Sequence, residues 1–226
     1  MVATIIILSF TAALILLDKL AVGEFGLSQP LILCPLIGLI FNNFAIGIFT
    51  RCAAQVIWWG WLSLGGKEPL DNQGAGAVAI CGYILGQKVR PDISQERLVF
   101  VVLLLAGFAS IFGQVLSQIT KKINNRLVNN LSVYSSYHSI VRANVAGLLI
   151  YFLRGFILII VFQLILLLVL MTPFAYKLPQ FTFFELIILP LAIGIASIAN
   201  IVIIKKRFLF TIIGFLIGNI LWIVVK

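Results

Sequence analysis

The chain is short of charge, and shortest of acids. Only 10% of its 226 residues are charged, seven acidic against sixteen basic, while 62% are hydrophobic. A soluble domain of this size cannot cover its surface with so few charges, so a soluble protein is excluded. One histidine, His138, is too few for a metal cluster. The three cysteines, Cys34, Cys52 and Cys81, stand singly in apolar surroundings. An odd count without paired spacing argues against a disulfide framework or a zinc site, and buried, inert thiols are expected. The sequence also lacks a phosphate-binding loop, a nucleophile–base pair and a carboxylate pair at usable spacing. No catalytic machinery and no cofactor are expected. No basic stripe lies on a polar domain, so the net charge of +9 does not point to nucleic acid.

What the chain has is long apolar runs. They predict an all-α polytopic membrane protein, a single transmembrane domain over 1–226. About six spanning helices are expected, near 2–17, 43–64, 98–120, 145–171, 181–203 and 208–225. The first lacks a basic leader and a small-residue cleavage site, so it reads as a retained helix and not a removed signal. Runs near 30–41 and 75–87 are too short to cross alone and read as re-entrant half-helices, buried in protein or lining a cavity. The polar, basic stretch 121–144 reads either as an amphipathic surface helix or as a long connection.

Charge bias supplies an orientation. Lys121, Lys122, Arg126 and Arg142 cluster in 121–144, and Lys205, Lys206 and Arg207 form a tight basic turn. Both are expected in the cytoplasm, with Lys177 and the 88–97 loop opposite.

Polar groups inside a membrane need a partner, a wet cavity or a function. Gln55 lies mid-helix, one turn after Arg51. Its amide offers a donor and an acceptor to a ligand hydroxyl, or equally to a neighbouring helix. Asp71 follows the Gly65-Gly66 turn and suits either a hydroxyl ligand or the N-cap of the next helix, with Lys67 as a possible partner. Asn42 and Asn43 break an apolar run, where they cap half-helix ends or meet a substrate. At least two of Trp58, Trp59 and Trp61 suit interface anchoring better than stacking on a ligand ring. Gln114 and Asn200 are similar polar candidates, better read as helix–helix contacts than as substrate ligands.

The stretch Ser28–Asp71 resembles the signature region of the IIC subunits of mannose/fructose/sorbose-family sugar phosphotransferase systems. Gln29-Pro30-Leu31, Gly38, Gly47, Gln55, Gly60-Trp61, Gly65 and Pro69–Asp71 follow in register. Gly113-Gln114-Val115-Leu116, then Asn130 and His138, resemble a second block, and the C-terminal helix pair a third. The resemblance implies a non-catalytic permease subunit in a bacterial inner membrane. It would form the sugar path with a IID-type membrane subunit, while soluble IIA and IIB units carry the phosphate. It places substrate binding at Gln55 and Asp71, then Asn42 and Asn43. Some positions depart from the pattern: Asn42-Asn43 stands where Gly-Asp is usual, and Arg51 and Cys52 where small residues are. They leave a second reading open, a IIC-like structural subunit of another membrane complex.

Overall fold

In the computed structural model all six assigned elements among the described residues are α-helices. The described residues are 1–18, 25–58, 70–129, 136–173, 181–182, 184–188 and 190–192. The helices are α1 (Val2–Leu16), α2 (Pro30–Ile40), α3 (Phe44–Trp58), α4 (Asn72–Val89), α5 (Gln95–Asn129) and α6 (Tyr137–Met171). The expected spans near 181–203 and 208–225 lie largely or wholly outside the described residues. So do Trp59, Trp61, Lys67, Asn130 and Asn200, and the side chains of Arg51 and Trp58.

α2 and α3 form a tight helical hairpin. Pro30 opens α2 at a position where its missing N–H costs no bond. At the far end the Asn43 N–H donates to the Gly38 carbonyl at 2.6 Å and the Asn42 N–H to that of Leu39 at 3.3 Å. This is a Schellman closure, with Asn42 at φ 58°, a left-handed conformation that asparagine tolerates better than most residues. The Asn43 carbonyl then accepts from Gly47 N–H at 3.0 Å, so the same turn starts α3. The two helices touch at glycines: a Cβ on Gly47 would lie 2.7 Å from the Cys34 carbonyl oxygen.

α4 is the hub, packed on by α1, α2, α3, α5 and α6. It runs 18 residues where a short half-helix over 75–87 was expected, and every residue from Gln73 to Gly86 is buried. Its small residues (Gly74, Ala75, Gly76, Ala77, Ala79, Gly82) let neighbouring backbones approach, the main route to helix association in lipid. Gly76 packs on Pro30 and Cys34, and Gly82 on Val102 and Leu166.

The 121–144 stretch is neither a separate surface helix nor an irregular connection over its described part. Residues 121–129 continue α5 and 137–144 begin α6. No proline or glycine interrupts 114–129 or 137–146, so loss of apolar character does not break the helix. Each helix has 35 residues, about 52 Å against a hydrocarbon core of about 30 Å. Both have apolar windows long enough to cross a membrane. Leu104, Phe108, Ile111, Val115 and Ile119 make an exposed apolar stripe along α5, as a lipid-facing helix requires. At the opposite end of α6, Arg90 Nη1 donates to the Leu170 carbonyl at 3.1 Å, a cation closing a helix C-terminus.

Two of the three cysteines are buried as expected. Cys34 Sγ donates to the Gly76 carbonyl at 3.5 Å, and Cys81 Sγ to that of Leu8 at 3.9 Å. Cys52 is a correction: it is exposed, because it sits on the face of α3 turned away from buried Ala53.

Candidate functional site

α4 begins on an acid. Asp71 is its N-cap, and its Oδ1 accepts from Gly74 N–H at 3.0 Å. The Asp71 backbone N–H donates to the Ser110 carbonyl of α5 at 3.2 Å. Its Oδ2 accepts from Arg154 Nη2 on α6, and that nitrogen also donates to the Gly113 carbonyl at 3.2 Å. The pair is largely buried, with side-chain exposures of 10% for Asp71 and 14% for Arg154. Glycine at 113 is required here, since a Cβ there would lie 2.7 Å from Asp71 Oδ2. One carboxylate thus fastens the start of α4 to both α5 and α6.

This knot lies inside the apolar zone. Gly113 is eight residues from Lys121 on α5, and Arg154 ten residues from Asn144 on α6. At the helical rise these separations place the pair about 12–15 Å from the polar boundary. Two unit charges at that depth are tolerated because each neutralises the other and both are hydrogen-bonded.

Beside the pair is a cleft of about 20 Å³, lined by Leu16, Asp71, Gln73, Tyr151, Arg154, Gly155 and Leu158. Gln73 is only 9% exposed, and its side chain makes no hydrogen bond to any described residue. Nor does the Tyr151 hydroxyl, nor Arg154 through Nε or Nη1. The sequence reading overlooked Arg154, Gln73 and Tyr151. Arg154 carried a usable signal, the lone charge in the apolar run 145–171.

The other expected site residues lie elsewhere. Gln55 sits near the end of α3, with its Oε1 buried and without a hydrogen-bond partner among the described residues. Asn42 is exposed at the α2–α3 turn, and Asn43 Nδ2 donates to the Phe41 carbonyl at 2.9 Å. Capping is therefore the observed part of their two expected roles. None of the three lines the cleft beside Asp71. Asp71 has Arg154 as its partner and also fills the N-cap role considered for it.

Comparison with known proteins agrees with this architecture. The fold is similar to that of a solved membrane protein, with a TM-score of 0.63 at 17% identity, covering 97% of this chain and 87% of the other. A similar protein in sequence is the N-acetylgalactosamine permease IIC component 2 assigned in Escherichia coli (strain K12). It is 27% identical over 108 residues, which are 47% of this chain and 77% of the relative. The model of the sorbose-specific IIC component of phosphotransferase systems matches residues 2–225. The helical bundle, the apolar spans and a match over almost the whole length lead to one assignment: the chain belongs to the sorbose-specific IIC family and is a mannose-family phosphotransferase permease component.

Proposed function

We propose that this chain forms part of a sugar path in a bacterial inner membrane, together with a IID-type membrane subunit and soluble IIA and IIB phosphocarriers. The observation that carries the reading is a helix, α4, that begins within the apolar zone on the paired acid Asp71. Membrane transporters build substrate sites from such interrupted helices, whose termini supply hydrogen-bonding groups at depth. Asp71 accepts from sugar hydroxyls, and Gln55 offers an acceptor that no described residue uses. Asn42 and Asn43 line the path at the tip of a re-entrant α2–α3 hairpin, with the exposed Asn42 amide free to reach a hydroxyl. Transport proceeds by alternating access around these groups, and phosphorylation is left to the soluble partners. The relative's name places N-acetylgalactosamine first among sugars to try.

Mild-detergent purification of the tagged chain, with co-purifying proteins identified by mass spectrometry, tests the assembly. A IID-type subunit and a IIB unit are expected. Recovery of an unrelated membrane complex in their place would overturn the reading and make the chain a structural subunit with a IIC fold.

A further inference from the structure

We infer that the cleft at the start of α4 seats a single hydroxyl of the transported sugar, read by Gln73, Tyr151 and Arg154; this rests on the sugar path proposed above. A cavity needs about 10–15 Å³ to hold one water, so a cleft of about 20 Å³ has room for one hydroxyl-sized group. Leu16, Gly155 and Leu158 form its apolar wall, which offers a larger polar group no bonds.

Around the cleft stands hydrogen-bonding capacity that no described residue uses. Gln73 is nine-tenths buried and its side chain bonds to no described residue, although burying an amide without partners is costly. Its amide presents both a donor and acceptor, as does the Tyr151 hydroxyl, while Arg154 retains the N–H groups of Nε and Nη1. A hydroxyl, itself donor and acceptor, satisfies such a mixed set. A methylene at the same place satisfies none of it. The N-terminus of α4 adds a partial positive charge that favours the lone pairs of the incoming oxygen. Arg154 is already held by Asp71 and Gly113, so its remaining donors are presented without further ordering.

A site built to bond a hydroxyl discriminates strongly against the analogue that lacks it, because its own polar groups are then stranded. The test is uptake in cells lacking other permeases and co-expressing the partner subunits. N-acetylgalactosamine, galactosamine, mannose, fructose and sorbose serve as probes, followed by the monodeoxy analogues of whichever sugar enters. One position is expected to stand out, its deoxy analogue losing about tenfold or more in uptake. Gln73→Leu is expected to shrink that gap to about threefold or less, with the other deoxy analogues unaffected relative to the parent. Tyr151→Phe, which keeps the ring, should narrow the same gap and carries the test if Gln73→Leu fails to accumulate. Equal losses at every position, or a gap unmoved by both variants, would show the cleft to be a structural water site and overturn the inference while leaving the sugar path intact. If none of the five sugars enters, the sugar path itself fails, and the inference with it.

Discussion

Asp71 and Arg154 show how one pair of residues fixes three helices. Asp71 bonds the first turn of α4, the α5 backbone through its own N–H, and Arg154 on α6. Removing one partner leaves a charge in an apolar zone, which costs about 3–5 kcal/mol, whereas removing both leaves no stranded charge. Thermal unfolding in detergent should therefore show Asp71→Ala and Arg154→Ala each strongly destabilised, with the double variant more stable than the sum of the two predicts. Additive losses would mean that the residues act independently. The candidate site was legible in the sequence only in part. Asp71 stood out because an acid after Gly-rich backbone invites capping or binding. Gln73 did not, and Arg154, although a lone charge in its apolar run, could not be paired from the sequence with Asp71, which lies 83 positions away. Gln55 was visible as a polar residue within an apolar run, but only the fold shows that no described residue bonds its Oε1.

Among the elements, the α2–α3 hairpin depends on two glycines facing each other. A side chain at Gly47 would meet the Cys34 carbonyl and Pro35, and one at Gly38 would meet the Asn43 carbonyl. These are backbone atoms that cannot rotate aside. Gly47→Leu should thus separate the helices and cost about 1–3 kcal/mol or more, lowering the melting temperature in detergent and the membrane level of the protein. An unchanged melting temperature would refute close packing there. The helix cores were read correctly from apolar runs: 2–17 became α1 and 30–41 became α2 with little change. Ends were harder. Over 121–129 and 137–144 polarity rises sharply, yet nothing there breaks a helix, so hydropathy marked the membrane edge and not the helix end. α4 was underestimated for a related reason. The residues missed at its ends, Asn72, Gln73, Gly74, Lys88 and Val89, are mostly polar, so an apolar run alone stops short of them.

For the whole molecule, geometry and charge agree on two opposite ends. The α5–α6 extension carries Lys122, Arg126 and Arg142 on exposed positions, while Arg90 and Asp92 lie at the other end of α5. The basic extension is expected in the cytoplasm. In a chain with exposed Cys52 replaced by Ala, Arg126→Cys should react with a membrane-impermeant maleimide only in inside-out vesicles, and Asp92→Cys only in right-side-out vesicles. The reverse pattern would invert the topology. Buried Cys34 and Cys81 should stay silent in both.

The most direct measurement of the central claim is phosphorylation-coupled sugar uptake by the assembled permease with Gln55→Ala in place of the native chain. Gln55 makes no hydrogen bond through Oε1 to any described residue, so its loss should leave the bundle standing. Normal membrane levels and partner binding are expected, with uptake abolished. Uptake at the native rate would contradict this, and would remove Gln55 from the sugar path.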